Sequence, residues 1–216
     1  MRSTLIIMTV LLGFKAISQG DSLMYSRDFL LNEGLYLTYL DFRHNWPISK
    51  EKINSDIKKE QLDFYSKLIE YEKINYVERN GKNDIVKSEN VWGYCQNNVI
   101  YVNLKKSFFR VTTFGAISYF PATVDINFYS PGVGMFIGAP VQTGGTTNTK
   151  ELREFLMDFY TGHLFDFSTD QILELMKNDS LIYNEYAALS KKKKRELASK
   201  YIRMYNEKHP VYFPKN

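Results

Sequence analysis

The 216-residue chain contains one cysteine, Cys95, and three histidines. One cysteine excludes an internal disulfide. Zinc sites take three or four closely spaced Cys, His or carboxylate ligands, whereas His44, His163 and His209 are scattered, so we predict no metal site. A cysteine nucleophile needs a nearby base and a lowered pKa, and no histidine lies near Cys95 in the sequence. We interpret Cys95 as a buried strand residue, and we predict no catalytic or cofactor-binding residue.

Apolar runs long enough to span a bilayer, about 20 residues, are also missing. The longest run covers residues 5–14, follows Arg2 and precedes two small residues two positions apart, Ala16 and Ser18. This layout is typical of a secretory signal peptide. We therefore predict a signal peptide at 1–19 and an exported protein that is not an integral membrane protein. A buried N-terminal strand or helix is the alternative.

The chain also lacks a large net charge, because its 28 Lys and Arg residues are nearly balanced by 24 Asp and Glu residues. Loss of the predicted leader removes Arg2 and Lys15, which leaves 26 basic residues against 24 acidic ones and a net charge of +2. This near balance gives no reason to expect nucleic acid as a partner. Export without disulfides is typical of the bacterial periplasm or cell surface.

The middle of the chain is rich in aromatic residues, and apolar and polar positions alternate there between turn signals. Asn80-Gly81 and Asn97-Asn98 each separate two alternating runs, and both pairs tolerate the positive φ of tight hairpin turns. Mirrored apolar runs in 151–167, on either side of Thr161-Gly162, predict a third hairpin rather than a helix. The alternation in 34–41 predicts a strand that is apolar on both faces.

After Phe167 the pattern changes to a helical period. Ser168 and Gln171 form a capping-box pattern, Asp179 or Ser180 begins a second helical segment, and His209-Pro210 ends the last one. We predict an α+β fold: a mainly antiparallel β-sheet or partial barrel over about 34–167, with C-terminal helices over about 169–207 packed on it. One domain is expected over 20–216. Its parts are a strand-rich 34–167, a helical 168–208 and an extended tail at 209–216, docked by Tyr212 and Phe213.

Two stretches are candidate contact surfaces. Residues 130–148, SPGVGMFIGAPVQTGGTTN, form either a loop folded back on the sheet or an exposed apolar loop that contacts a partner or lipid. Residues 191–195 are five consecutive cations, which either form a solvated helix face or attract an anionic lipid or polysaccharide. The candidate partner-contact residues are Val133, Met135, Phe136, Ile137, Lys191, Lys192, Lys193, Lys194 and Arg195.

Three functions follow from these observations. The leading hypothesis is a non-enzymatic exported protein that binds an envelope component (lipid or polysaccharide) or a protein partner. A lipid-binding or small-hydrophobe-binding β-barrel with an apolar cavity is an alternative, suggested by the strands that are apolar on both faces. The other alternative is a hydrolase that uses Asp158, Asp166 and His163, which requires the three side chains to converge in one cleft.

Four segments carry a resemblance: EGLYLTYLDFRHNWPI, ENVWGYCQNNVIYV, FLMDFYTGHLFDF and SLIYNEYAALSKKKKRELASKYIRMYNEKHPVYF. Together they resemble a family of small exported proteins of Bacteroidota bacteria with the motifs GxYLTxxDFxxNxP, WGYC, DFxTGxxxDF and a C-terminal YNExHP. The resemblance spans most of the chain after the leader, except 54–70 and 130–148. It implies export, a single domain and a hairpin at 151–167, and it transfers no catalytic residue.

Overall fold

In the computed structural model, which describes residues 22–125 and 150–215, strands come first and helices last. The strands are β1 (Ser22–Met24), β2 (Gly34–Tyr36), β3 (Ile53–Asn54), β4 (Lys73–Val77), β5 (Asn83–Lys87), β6 (Gly93–Gln96), β7 (Val99–Leu104), β8 (Ser107–Arg110), β9 (Ile117–Asp125), β10 (Lys150–Asp158), β11 (Leu164–Asp166) and β12 (Tyr212–Pro214). The helices are α1 (Tyr39–Arg43), α2 (Phe64–Leu68), α3 (Thr169–Met176), α4 (Ser180–Ala187) and α5 (Lys191–Lys208). The predicted signal peptide and the loop at 130–148 lie outside the described residues.

The described strands form four antiparallel sheets, which confirms the α+β expectation. Their strand orders are β1-β12, β2-β6-β7-β8, β3-β4-β5 and β11-β10-β9. These sheets do not close into a barrel, and large side chains such as Tyr36, Phe120 and Phe155 are almost completely buried. The described strands therefore do not form the closed barrel on which the lipid-binding alternative was based.

All three predicted hairpins are present. Asn80-Gly81 lies between the paired strands β4 and β5, and the Thr161-Gly162 turn lies between β10 and β11. Asn97 and Asn98 join β6 to β7 with φ values of 52° and 58°. Both values lie in the left-handed region that a two-residue type I′ turn requires, and asparagine tolerates this region better than most residues.

The strand predicted over 34–41 is wrong beyond Tyr36. The Thr38 side chain accepts a hydrogen bond from the Asp41 backbone N–H, and the Asp41 carboxylate accepts one from the Thr38 N–H. This reciprocal capping box begins α1 at Tyr39 and ends the extended conformation. Leu40, which the alternation placed in a strand, lies instead on the exposed face of α1.

The C-terminal tail is extended, as predicted, but only one of its two aromatic residues docks. β12 pairs with β1, and Leu23 lies opposite Phe213 in the register. Phe213 is fully buried among aromatic rings, with that of Phe29 stacked 5.0 Å away and that of Phe159 at 5.5 Å. Tyr212 is 48% exposed, because successive side chains of a strand point to opposite faces.

The C-terminal helices pack on the strands, and α5 makes a specific contact with β9. The Asn206 side-chain Oδ1 accepts a hydrogen bond from the Ile117 N–H, and its Nδ2 donates one to the Ile117 carbonyl, both at 2.8 Å. β9 lies at the edge of its sheet, so Asn206 satisfies backbone groups that a further strand would otherwise bind. Among the described helices, none combines the length and the apolar character needed to cross a membrane.

Candidate functional site

Cys95 is a packing residue in β6, as the sequence indicated. It is fully buried, and its strand neighbours are Gly34 on one side and Ile100 on the other. Burial raises the pKa of its thiol to about 12, and the charge of Glu33 contributes in the same direction. A thiol in this environment stays protonated, so it is a poor nucleophile and a poor metal ligand.

The structure brings two of the three residues of the hydrolase alternative together: Asp158 and His163 line one cleft of about 490 Å³, whereas Asp166 lines a different cleft. Asp166 lies opposite Phe155 in the β10–β11 register, whereas the Asp158 N–H donates to the His163 carbonyl. Positions 155 and 158 are an odd number of residues apart, so Asp158 and Asp166 lie on opposite faces of the hairpin.

The Asp158 carboxylate is also engaged within its own turn. One oxygen accepts the Tyr160 N–H at 2.9 Å, and the other accepts the Thr161 hydroxyl at 2.8 Å. These bonds explain why an aspartate precedes the turn, because Asx contacts of this kind stabilise tight turns.

Two of the three histidines have partners that the sequence did not indicate. The His44 ring stacks on that of Trp46 at a centroid distance of 4.8 Å. His209, which the sequence indicated only as the end of the last helix, places its Nε2 atom 2.8 Å from an oxygen of the buried Asp179. Lys208 Nζ lies 2.7 Å from the same carboxylate oxygen. Among the described residues, no group of three or more His, Cys, Asp or Glu side chains is arranged to hold a metal ion.

The basic run at 191–195 lies at the beginning of α5. The Ser190 hydroxyl accepts the Lys193 N–H and caps the helix. α4 and α5 are therefore separate helices, and the cations occupy the first turn of α5 and the start of the second. Positive charge at a helix N-terminus opposes the macrodipole and costs about 0.3–1 kcal/mol for each exposed residue. The stability of α5 therefore does not explain why the cations lie at the beginning of the helix.

Two of the five cations line a cleft between described elements. Lys191 and Arg195 are four residues apart and share one helix face, and both line a cleft of about 740 Å³ between the β9-β10-β11 sheet and the beginnings of α3 and α5. Lys192 lies 3.9 Å from Glu196 instead. We call this space the charged cleft. Its charged lining residues are Glu151, Arg153, Glu154, Asp166, Asp170, Lys191 and Arg195, and its aromatic ones are Tyr119 and Phe167.

Both signs of charge meet in the charged cleft. Arg153 forms an ion pair with Glu151 at 2.9 Å, and the Tyr119 hydroxyl donates to Glu154 at 2.6 Å. Burial, followed by this hydrogen bond, raises the pKa of Tyr119 to about 12. The Tyr119 ring lies edge-on to that of Phe167 at a centroid distance of 6.0 Å, which gives the cleft an aromatic wall beside its charged groups.

The sequence indicated Lys191 and Arg195 but not the remainder of the cleft. Arg153 and Glu154 come from β10 and Asp170 from α3, and only the packing of α3 and α5 against the sheet brings them together. The apolar candidates Val133, Met135, Phe136 and Ile137 lie outside the described residues. Comparison of the chain with protein-family models, with curated proteins and with solved structures finds no match.

Proposed function

We propose that this protein is an exported, non-enzymatic protein that binds an anionic polysaccharide of the bacterial envelope in the charged cleft. The observation that carries the proposal is the position of Lys191 and Arg195. Lys191 lies in the first turn of α5, where the helix macrodipole disfavours cations, and Arg195 follows one turn later on the same face. That face lines a cleft of about 740 Å³. The resemblance to exported Bacteroidota proteins and the leader pattern of 1–19 support export.

The mixed lining of the cleft favours a polysaccharide over a lipid headgroup. Sugar hydroxyls both donate and accept hydrogen bonds, so carboxylates such as that of Asp170 become useful acceptors, while Lys191 and Arg195 bind the acidic substituents. The half-buried rings of Tyr119 and Phe167 offer apolar surface to the C–H groups of a sugar. A surface selected for anionic lipid would instead be expected to carry few carboxylates.

Titration calorimetry of polygalacturonate binding to the chain that lacks residues 1–19 tests the proposal. The double variant Lys191→Ala/Arg195→Ala is expected to weaken binding about tenfold or more, because it removes two charge-assisted contacts. The matched control is Lys192→Ala/Lys193→Ala, which removes the same charge from the same helix turn outside the cleft. We expect it to reduce affinity only slightly, by a general electrostatic effect that salt screens.

Two results contradict the proposal. Equal losses in the two double variants show that charge alone attracts the polymer and that the cleft has no role. Binding to phosphatidylglycerol vesicles in preference to polygalacturonate identifies the ligand as lipid.

A further inference from the structure

The cleft of about 490 Å³ that Asp158 and His163 line has no role in the function proposed above. It lies between the turn at Thr161 and the helices α3 and α5, and we call it the hairpin cleft. Its apolar lining residues are Ala116, Ile117, Phe165 and Leu175, and its uncharged polar ones include Gln171, Asn178 and Tyr205. Apolar walls with a few polar groups are typical of sites that bind small ligands.

Tyr205 contributes a hydroxyl group to the hairpin cleft, and no residue of the described part of the chain binds this group. The side chain is 5% exposed and lines the cleft, and no hydrogen bond among the described residues uses its oxygen. A buried tyrosine usually has a hydrogen-bond partner for its hydroxyl, as Tyr186 has in the Lys194 carbonyl. The partner of the Tyr205 hydroxyl therefore has to come from the cleft.

The surroundings hold this hydroxyl in place before any ligand binds. The next residue, Asn206, makes two hydrogen bonds to the backbone of Ile117, and the Tyr205 ring lies 4.4 Å from that of His209, between centroids. Burial raises the pKa of Tyr205, and nearby acidic groups contribute in the same direction, so the hydroxyl stays protonated at neutral pH. A donor that is fixed in advance loses little conformational entropy on binding.

The other polar groups of the hairpin cleft favour a neutral ligand over an ion. The side-chain amides of Gln171 and Asn178 make no hydrogen bond within the described part of the chain. The acidic groups are already engaged, since Glu174 pairs with Lys177 on α3 and each oxygen of Asp158 accepts a hydrogen bond within its own turn. The two amides and the Tyr205 hydroxyl are neutral groups that both donate and accept.

We propose that the hairpin cleft binds a neutral, N-acetylated sugar unit of an envelope polysaccharide. The hydroxyls of such a unit match the Tyr205 hydroxyl and the two amides. Its acetamido group adds a methyl, which the apolar wall of Phe165 and Leu175 accommodates. The choice of a sugar rests on the proposed function. Phe165 lines the hairpin cleft and Asp166 the charged cleft, so a polymer held in the charged cleft has further units near the hairpin cleft.

A peptide is the neutral alternative, and the hairpin cleft suits it less well. β11 is the edge strand of its sheet, and the Phe167 N–H donates to the Glu154 carbonyl of β10. The alternation of an antiparallel ladder therefore directs the backbone groups of Leu164 and Asp166 away from β10. Neither of these residues lines the hairpin cleft, so an extended peptide in the cleft does not reach the free edge of β11.

Titration calorimetry of the chain that lacks residues 1–19 tests the proposal. The probes are two β-1,4-linked hexasaccharides, one of N-acetylglucosamine and one of glucose, which differ only at the acetamido group. We expect saturable binding of the N-acetylated sugar, about fivefold or more tighter than that of the glucose hexamer. Equal affinities, or no saturable binding of the N-acetylated sugar, overturn the proposal. Tighter binding of an alanine tripeptide, acetylated and amidated at its ends, identifies a peptide ligand and also overturns it.

Two conservative variants locate the binding. Tyr205→Phe keeps the ring beside His209 and removes only the hydroxyl, so we expect about fivefold weaker binding of the N-acetylated sugar and a thermal midpoint close to that of the wild type. Tyr201→Phe is the matched control, because its hydroxyl lies on the same helix, bonds to Glu185 and is outside the hairpin cleft. Its affinity should not change. Equal affinities of Tyr205→Phe and Tyr201→Phe overturn the proposal.

The hairpin cleft and the charged cleft fail separately. Tyr205→Phe is expected to leave the affinity for polygalacturonate unchanged, and Lys191→Ala/Arg195→Ala is expected to leave the affinity for the N-acetylated hexasaccharide unchanged. Hexasaccharide binding that is lost in the α5 double variant and retained in Tyr205→Phe places the sugar in the charged cleft and overturns the hairpin site alone. Hexasaccharide binding that Tyr205→Phe weakens, in a protein that does not bind polygalacturonate, supports the hairpin site and rejects the function proposed for the charged cleft.

Discussion

The Asp179 carboxylate lies 2.8 Å from the His209 imidazole, which joins the beginning of α4 to the end of α5 across 30 positions of the sequence. The other oxygen of Asp179 accepts the Ile182 N–H and caps α4. One buried carboxylate thus begins one helix and holds the end of the next, immediately before the chain turns at Pro210 into β12.

Replacing the Asp179 carboxylate is expected to make the stability of the protein change less as the pH falls. The hydrogen bond from Lys208, and then that from His209, holds the pKa of Asp179 well below its ordinary value. A lowered pKa in the folded state stabilises the protein above the unfolded-state pKa of about 4 and loses this effect as pH falls further. Asp179→Asn should therefore lower the thermal midpoint at pH 7, and the difference from the wild type should shrink below about pH 4.

Thermal unfolding followed by circular dichroism at pH 7, 5 and 3.5 checks this expectation. Asp28→Asn is the control, because Asp28 is exposed. This substitution should lower the thermal midpoint little at any of the three pH values. A difference between Asp179→Asn and the wild type that grows as the pH falls contradicts the account.

Cys95 should resist alkylation in the native protein. With a pKa of about 12, on the order of one thiol in ten thousand is ionised at pH 8, and the side chain is buried besides. Iodoacetamide should label it only in denaturant. A Cys95→Ala/Ser199→Cys variant, whose new thiol is on an exposed position of α5, should react without denaturant. Rapid labelling of the native wild type would show that the β6 region opens readily.

Gly162→Ala should destabilise the fold more than Gly81→Ala, although both glycines occupy hairpin turns with positive φ, 75° and 86°. An added Cβ at Gly162 lies 2.5 Å from the Tyr39 ring, whereas at Gly81 it meets nothing within 4 Å. Backbone strain alone costs about 1–3 kcal/mol, and the clash adds to this only at Gly162. Urea unfolding of the two variants measures the difference, and equal losses would mean that the Tyr39 ring moves aside freely.

Phe213→Ala should cost about 3–5 kcal/mol, the usual range for a fully buried phenylalanine. The ring lies among those of Phe29, Phe42 and Phe159, so its loss opens a cavity in the aromatic core. Tyr212→Ala, one residue away on the exposed face of β12, should cost less than about 1 kcal/mol. Similar losses in urea unfolding would indicate that the strand pairing with β1, rather than the buried ring, holds the tail.

Much of the secondary structure follows from local chemistry, which is why the sequence predicts it. Asn97-Asn98 specifies a tight turn by itself, and Ser168 caps α3 through its own hydroxyl. The failure at 34–41 has the same local origin. Thr38 and Asp41 carry a capping signal, but the alternation of apolar residues around them predicts a strand, and the reciprocal side-chain bonds prevail.

The sites depend on tertiary packing, so the sequence predicts them only in part. Nothing in the run 191–195 shows which cations face a cleft, because this depends on where α5 meets the sheet. Likewise, Asp179 was expected as a helix cap, but its second role with His209 requires the two helix ends to meet.

The pairing of β1 with β12 brings the first and the last of the described strands side by side. Ser22 lies opposite Pro214, so a short peptide can link these two positions in a chain that starts at residue 22, and that chain can be reopened at the exposed Asn80-Gly81 turn with the pairs of described strands retained. During synthesis, β1 has no strand partner until β12 has been made. A chain that crosses a membrane N-terminus first would thus complete this sheet only after translocation has finished.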